Sequence, residues 1–127
     1  MKSIEVTYKI KAPLEWVWQA FVDPDIIMQW TGSPAIMSDQ EGFEFSLWDG
    51  EIFGTNTKVV PHKLIEQDWY SSRDWQAASK VTLTFTDDCD ITTIKLVHIN
   101  IPDDAAKDIE DGWKDYYLEP MKDLLEA

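Results

Sequence analysis

The chain has 127 residues, 44% of them hydrophobic and 13% aromatic with seven tryptophans, and a formal charge of -13. A chain of this size buries roughly two thirds of its unfolded surface in one core. A single domain over residues 1–127 is therefore expected, with more rings than a minimal core requires. The charge argues against nucleic-acid and anionic-membrane partners, which need clustered Lys and Arg, whereas the 11 basic residues here are scattered.

No stretch is apolar enough to span a bilayer or to serve as a signal peptide. Cys89 is the only cysteine, so no internal disulfide is possible. A cytoplasmic location is the default expectation.

Near the start, Ile4, Val6, Tyr8 and Ile10 alternate with Ser3, Glu5, Thr7 and Lys9, the period of a strand with one wet face. Pro13 suits a first helical turn, and Leu14, Val17, Trp18 and Phe21 recur at helical spacing until Asp23-Pro24 stops them. The stretch from Asp25 to Trp30 predicts a further turn or two of helix, ended by Thr31-Gly32-Ser33-Pro34.

From Phe43 onward the period is two. Phe43, Phe45 and Leu47 share a face, and Asp49-Gly50 predicts a tight hairpin turn with positive φ at both central residues. A strand from Glu51 to about Val60 follows. Ile65, Gln67 and Trp69 alternate in the next strand, and Val81, Leu83 and Phe85 in the one after. Thr86 to Asp90 reads as a polar turn, and Ile94, Leu96 and His98 share one side of the last strand.

Pro102-Asp103-Asp104 predicts the start of a long helix, with acids at the positive end of its dipole. Run to Glu126, it would measure about 36 Å. It contains Gly112 and Pro120, both breakers. Its apolar face is Ala105, Ala106, Ile109, Trp113, Tyr116 and Tyr117, followed by Met121, Leu124 and Leu125 about a quarter turn away. Pro120 cannot donate to the Tyr116 carbonyl, so a bend there is expected to realign the two sets. Gly112 is expected to let the helix approach a strand closely beside Trp113.

These segments resemble a known family. The stretches IKAPLEWVWQAFVDPDIIMQWTG, FEFSLWDGEIFG, VPHKLIEQDW, VTLTF and NIPDDAAKDIEDGWKDYYLEPMKDLL are similar to the bacterial proteins grouped with the C-terminal domain of the activator of Hsp90 ATPase. The Trp48-Asp49-Gly50 turn and Gly112-Trp113 with Tyr117 carry the resemblance most specifically. It implies an α+β helix-grip fold of the START-like and Bet v 1-like kind, a curved antiparallel sheet wrapped around the C-terminal helix, often around a cavity. Full-length Hsp90 activators also carry an N-terminal domain with an NWHW-type segment. This chain begins at the grip domain, so chaperone binding ranks second to ligand binding among the expectations.

In such a fold the inward positions Trp30, Phe45, Trp69, Leu83, Ile94, Leu96, Trp113, Tyr117 and Met121 are candidates to line a ligand cavity. The competing expectation is that they simply fill the core. Gln67 and His98 lie on inner strand faces as polar anchors, and His98 is expected to face Tyr117 or a ligand.

Asp87, Asp88 and Asp90 lack the glycine and closing glutamate of a calcium loop, and Cys89 among those acids is a poor nucleophile. There is no catalytic-triad order, phosphate loop, CxxC pair or HExxH. No catalytic residue, metal or cofactor is expected. Trp16, off the apolar face of its helix, and Trp75, in a loop stretch, are candidates for a partner surface. The first expectation is thus a non-catalytic START-like domain binding a small hydrophobic or aromatic molecule. The second is an interaction module related to Hsp90 co-chaperones, and the third a cyclase- or hydrolase-like enzyme using His98 and Tyr117.

Overall fold

The structure, a computed structural model, describes residues 2–71 and 77–126. Trp75 lies outside the described residues. Six strands form one antiparallel sheet: β1 (Lys2–Ile10), β2 (Glu44–Leu47), β3 (Ile52–Val60), β4 (Leu64–Tyr70), β5 (Ser79–Asp88) and β6 (Ile91–Ile101), in spatial order β1-β6-β5-β4-β3-β2. Between β1 and β2 run α1 (Leu14–Val22) and α2 (Pro24–Thr31). After β6 come α3 (Ala106–Gly112), a π-helical segment (Trp113–Leu118) and α4 (Glu119–Glu126). This is the helix-grip arrangement.

Strand periodicity follows the sequence closely because each inner face is apolar at every second position. Ile65 and Trp69, Val81, Leu83 and Phe85, and Ile94 and Leu96 are all buried, with Gln67 and His98 between them. Asp23 does what its type predicts, its carboxylate accepting from the Asp25 amide to cap α2, while Gly32 ends that helix with a left-handed φ of 72°. Trp30 closes the α1–α2 corner by donating its indole N–H to the Ala20 carbonyl, 2.9 Å away. Thr92 donates to the Ala12 carbonyl at 2.8 Å and fixes the β1–α1 connection to β6.

The final helix departs from expectation in four ways. It begins at Ala106, after a turn over residues 103–105. Its realignment does not wait for Pro120. Ile109, Trp113, Tyr117 and Met121 are buried at four-residue intervals, and in an α-helix each such step drifts by roughly 40°. The wider i→i+5 turns from Trp113 to Leu118 wind that drift back, and the Glu119 amide accordingly donates to the Lys114 carbonyl. The proline explains the placement: its ring would press on the Tyr116 carbonyl of a regular α-helix, and widening the preceding turn relieves that contact.

Third, Gly112 is not a close-approach glycine, since a methyl group there would meet nothing within 4 Å. Tyr116, expected on the apolar face, is instead 69% exposed, because the wider turn rotates it outward. The close approach occurs at Gly54 in β3, where a Cβ would lie 1.8 Å from the Asp68 carbonyl oxygen and 3.2 Å from the Phe45 ring. Backbone packs there so tightly that only hydrogen fits.

Candidate functional site

The β2–β3 connection is a four-residue loop, Leu47 pairing with Ile52, rather than the two-residue turn expected from Asp49-Gly50. Trp48, Asp49 and Gly50 all have positive φ, 50°, 55° and 93°. A left-handed tryptophan is unusual and costs on the order of 1 kcal/mol or more, held only where its surroundings require it. The conformation sets the Trp48 indole 6.0 Å from Trp30 and 5.8 Å from Tyr117, centroid to centroid.

Beneath that loop, where the end of β4 meets α3 and the π-helical segment, opens a cleft of about 380 Å³. Trp48, Trp69, Trp113, Tyr116 and Tyr117 supply its rings, and Ile52 and Ile109 its aliphatic wall. Gly112 and Ser71 leave it open, and Glu51 and Asp108 bring carboxylates to it. No Lys, Arg or His lines it among the described residues. The undescribed residues 72–76 carry one Arg and one Asp, whose formal charges cancel.

Of the residues expected at a cavity, Trp69, Trp113 and Tyr117 line this cleft. Trp30 stands one layer behind, its ring 4.7 Å from Tyr117. Phe45, Leu83, Leu96 and Met121 are packed inside the core, as is Ile94. Gln67 is buried and donates to Asn56 at 3.0 Å, and Asn56 in turn donates to the Ser38 carbonyl at 2.9 Å, so the pair anchors the loop before β2. Trp16 is 57% exposed and borders a separate groove with Ile26, Leu124 and Leu125.

Sequence periodicity missed Trp48, Glu51, Ile52, Ser71 and Asp108, and it placed Ile109 and Tyr116 on the apolar helix face without assigning them to a cavity. The one signal available was the Trp48-Asp49-Gly50 turn itself, an aromatic residue carried on a tight loop.

His98 does not reach Tyr117. It is fully buried and spans two neighbours: its Nδ1 accepts the Trp113 indole N–H at 3.0 Å, and its Nε2 lies 2.7 Å from the Ser79 hydroxyl. An indole N–H can only donate, so Nδ1 carries no proton. Ser79 already donates to the Trp69 carbonyl at 2.9 Å, so Nε2–H must donate to Ser79. The network therefore defines one neutral tautomer with no lone pair free for proton abstraction.

Burial lowers the His98 pKa to about 4. Unfolded, it titrates near 6.5. Between those values the unfolded chain holds the additional proton, so the contribution of His98 to stability is complete above about pH 6.5 and is lost as pH falls toward 4, by about 3 kcal/mol at most. Urea unfolding across that range is expected to show this slope, and a His98→Gln variant to lack it.

Trp69 stacks on Trp113 with centroids 5.3 Å apart and planes 16° from parallel, and Trp113 lies 4.4 Å from Tyr117. The His98 relay thus orients the indole wall of the cleft. The Trp69 indole N–H is itself buried with no acceptor among the described residues, an exception to the rule that buried donors are paired. Burial also pushes the Tyr117 hydroxyl well above the ordinary phenol range, so it stays protonated.

No helix among the described residues is long and apolar enough to cross a membrane.

The family model for "Activator of Hsp90 ATPase homolog 1-like protein" matches residues 11–126. An activator of 90 kDa heat shock protein ATPase homolog from Dictyostelium discoideum is 32% identical over 95% of this chain, which spans 33% of that protein. The chain thus covers about a third of the length of the curated relatives it matches. Among solved structures, an HSP90 activator from Plasmodium falciparum superposes with a TM-score of 0.92 at 28% identity, over 99% of this chain and 97% of its own. The Aha1 dimer from Colwellia psychrerythraea shares the fold at a TM-score of 0.85 and 20% identity, over 100% of this chain and 98% of that one. With its helix-grip sheet, its Trp48-Asp49-Gly50 loop and a match running from residue 11 to residue 126, the chain belongs to the family of Activator of Hsp90 ATPase homolog 1-like proteins.

Proposed function

We propose that the chain is a non-catalytic binding domain that acts with an Hsp90-type ATPase chaperone in the cytoplasm, using the aromatic cleft as its contact. The observation that carries this reading is similarity over 99% of the chain to a protein described as an HSP90 activator. The non-catalytic part is supported by His98, whose two nitrogens are both engaged, and by Tyr117, which holds its proton. The purified domain is expected to bind the Hsp90 homologue of its own cell in calorimetry and to change its rate of ATP turnover. Neither binding nor altered turnover would end the reading.

A second reading is favoured by the cleft itself. Its volume of about 380 Å³ and its mostly apolar walls fall within the range of small-molecule sites. On this reading the cleft holds a small apolar or aromatic molecule. A thermal-shift screen of such molecules is expected to find ones that raise the unfolding temperature in proportion to their concentration; a screen in which none does so would remove it.

A further inference from the structure

We propose that the cleft selects an organic cation: an ammonium group carried on a compact apolar or aromatic body. The inference rests on the small-molecule reading of the cleft and adds its charge preference.

Three features of the cleft point to positive charge. First, its walls are mostly ring: three indoles and two phenols converge, and the face of each ring carries the negative part of its quadrupole. A cation over such faces is attracted, tryptophan being the strongest partner. Second, the polar side chains among the lining include the Glu51 and Asp108 carboxylates, one from the β2–β3 loop and one from α3, so negative charge approaches from two walls. No lining group among the described residues neutralises them. Third, the chain carries a formal charge of -13, which concentrates cations near its clefts and repels anions.

Acidic residues at the edge of a groove are common on so acidic a chain and would mean little alone. Here they coincide with one further observation, at the mouth of the cleft. Trp48 is held at the mouth by a left-handed backbone, a strain that its packing on Trp30 and Tyr117 sustains. An anion entering the same space would meet two carboxylates and the negative faces of the rings. A neutral body would gain burial alone.

The test uses three probes of nearly equal size and different charge: phenethylammonium, phenethyl alcohol and hydrocinnamate. Each is titrated into the whole protein at low and high salt, followed by calorimetry and by tryptophan fluorescence. Phenethylammonium is expected to bind about tenfold more tightly than the alcohol, with the anion weakest. Raising the salt is expected to narrow the gap.

In a Glu51→Gln, Asp108→Asn double variant the ammonium is expected to lose most of its advantage while the alcohol binds as before. Both replaced side chains are exposed and the amides keep their shapes, and an unchanged denaturation midpoint verifies the fold. Alcohol binding as tightly as ammonium, or a preference that survives in the double variant, would overturn the cation preference and leave the small-molecule reading standing. If none of the three binds, both fail together.

Discussion

Replacing Trp113 by alanine is expected to destabilise the domain by about 4 kcal/mol. Trp113 is only 2% exposed although it lines the cleft. The substitution removes its stack on Trp69, its contact with Tyr117 and, among the described residues, the donor to His98 Nδ1. A buried acceptor without a donor adds to the cost of the lost volume.

Trp113→Phe separates the two terms. It keeps one six-membered ring and deletes the N–H together with part of the indole, so a loss of about 2 kcal/mol, well short of that of alanine, is expected. With no N–H opposing a proton on Nδ1, the His98 pKa should move up from about 4, and the acid slope of stability should become shallower. Urea unfolding of both variants from neutral to mildly acidic pH measures both effects. An unchanged slope in Trp113→Phe would mean that the Trp113–His98 bond does not set the tautomer.

The second large effect is at Gly54. Gly54→Ala is expected to destabilise by about 3 kcal/mol or more, because its Cβ would meet backbone, the Asp68 carbonyl oxygen at 1.8 Å and carbon at 2.8 Å, which cannot rotate away as a side chain can. The β3–β4 ladder must open locally, and with it the hairpin that carries Trp48. Gly112→Ala serves as the contrast. Its methyl group enters open space at a helical φ of -64°, so a gain of up to about 1 kcal/mol is expected from helix propensity and reduced freedom of the unfolded chain. The two glycines should therefore shift the midpoint in opposite directions. Equal effects would contradict the packing described at β3.

Which parts of this were legible in the sequence follows from what alternation can encode. The inner faces of β4, β5 and β6 were readable because burial repeats every second residue and no other arrangement satisfies Ile65, Leu83 and Leu96 together. The stripe Ile109, Trp113, Tyr117 and Met121 was visible too. Its mechanism was not, since an i→i+5 turn leaves no compositional mark and the nearby proline suggested a bend. Gly112 and Gly54 look alike in a sequence, and only the tertiary approach of Asp68 distinguishes them. His98 was legible as an inward polar group, but its partners depend on where two indoles from different elements meet.

The cleft was the least legible part. It is built by Trp48 from a left-handed loop and by Glu51 and Asp108 from residues that, read locally, are ordinary solvated acids. Candidates chosen by inward phase alone therefore mark the floor of the space, Trp69, Trp113 and Tyr117, and leave out its rim.

The indole N–H resonances of the seven tryptophans report whether this rim and floor together form the domain's binding surface. As the cell's Hsp90-type chaperone is added to nitrogen-labelled protein, the signals of Trp48, Trp69 and Trp113 are predicted to shift or broaden first. That of Trp18, which packs on Phe85 and His62 at the opposite end of β4, should stay in place. A chaperone that binds while those three signals remain unmoved would show that the domain docks through another face.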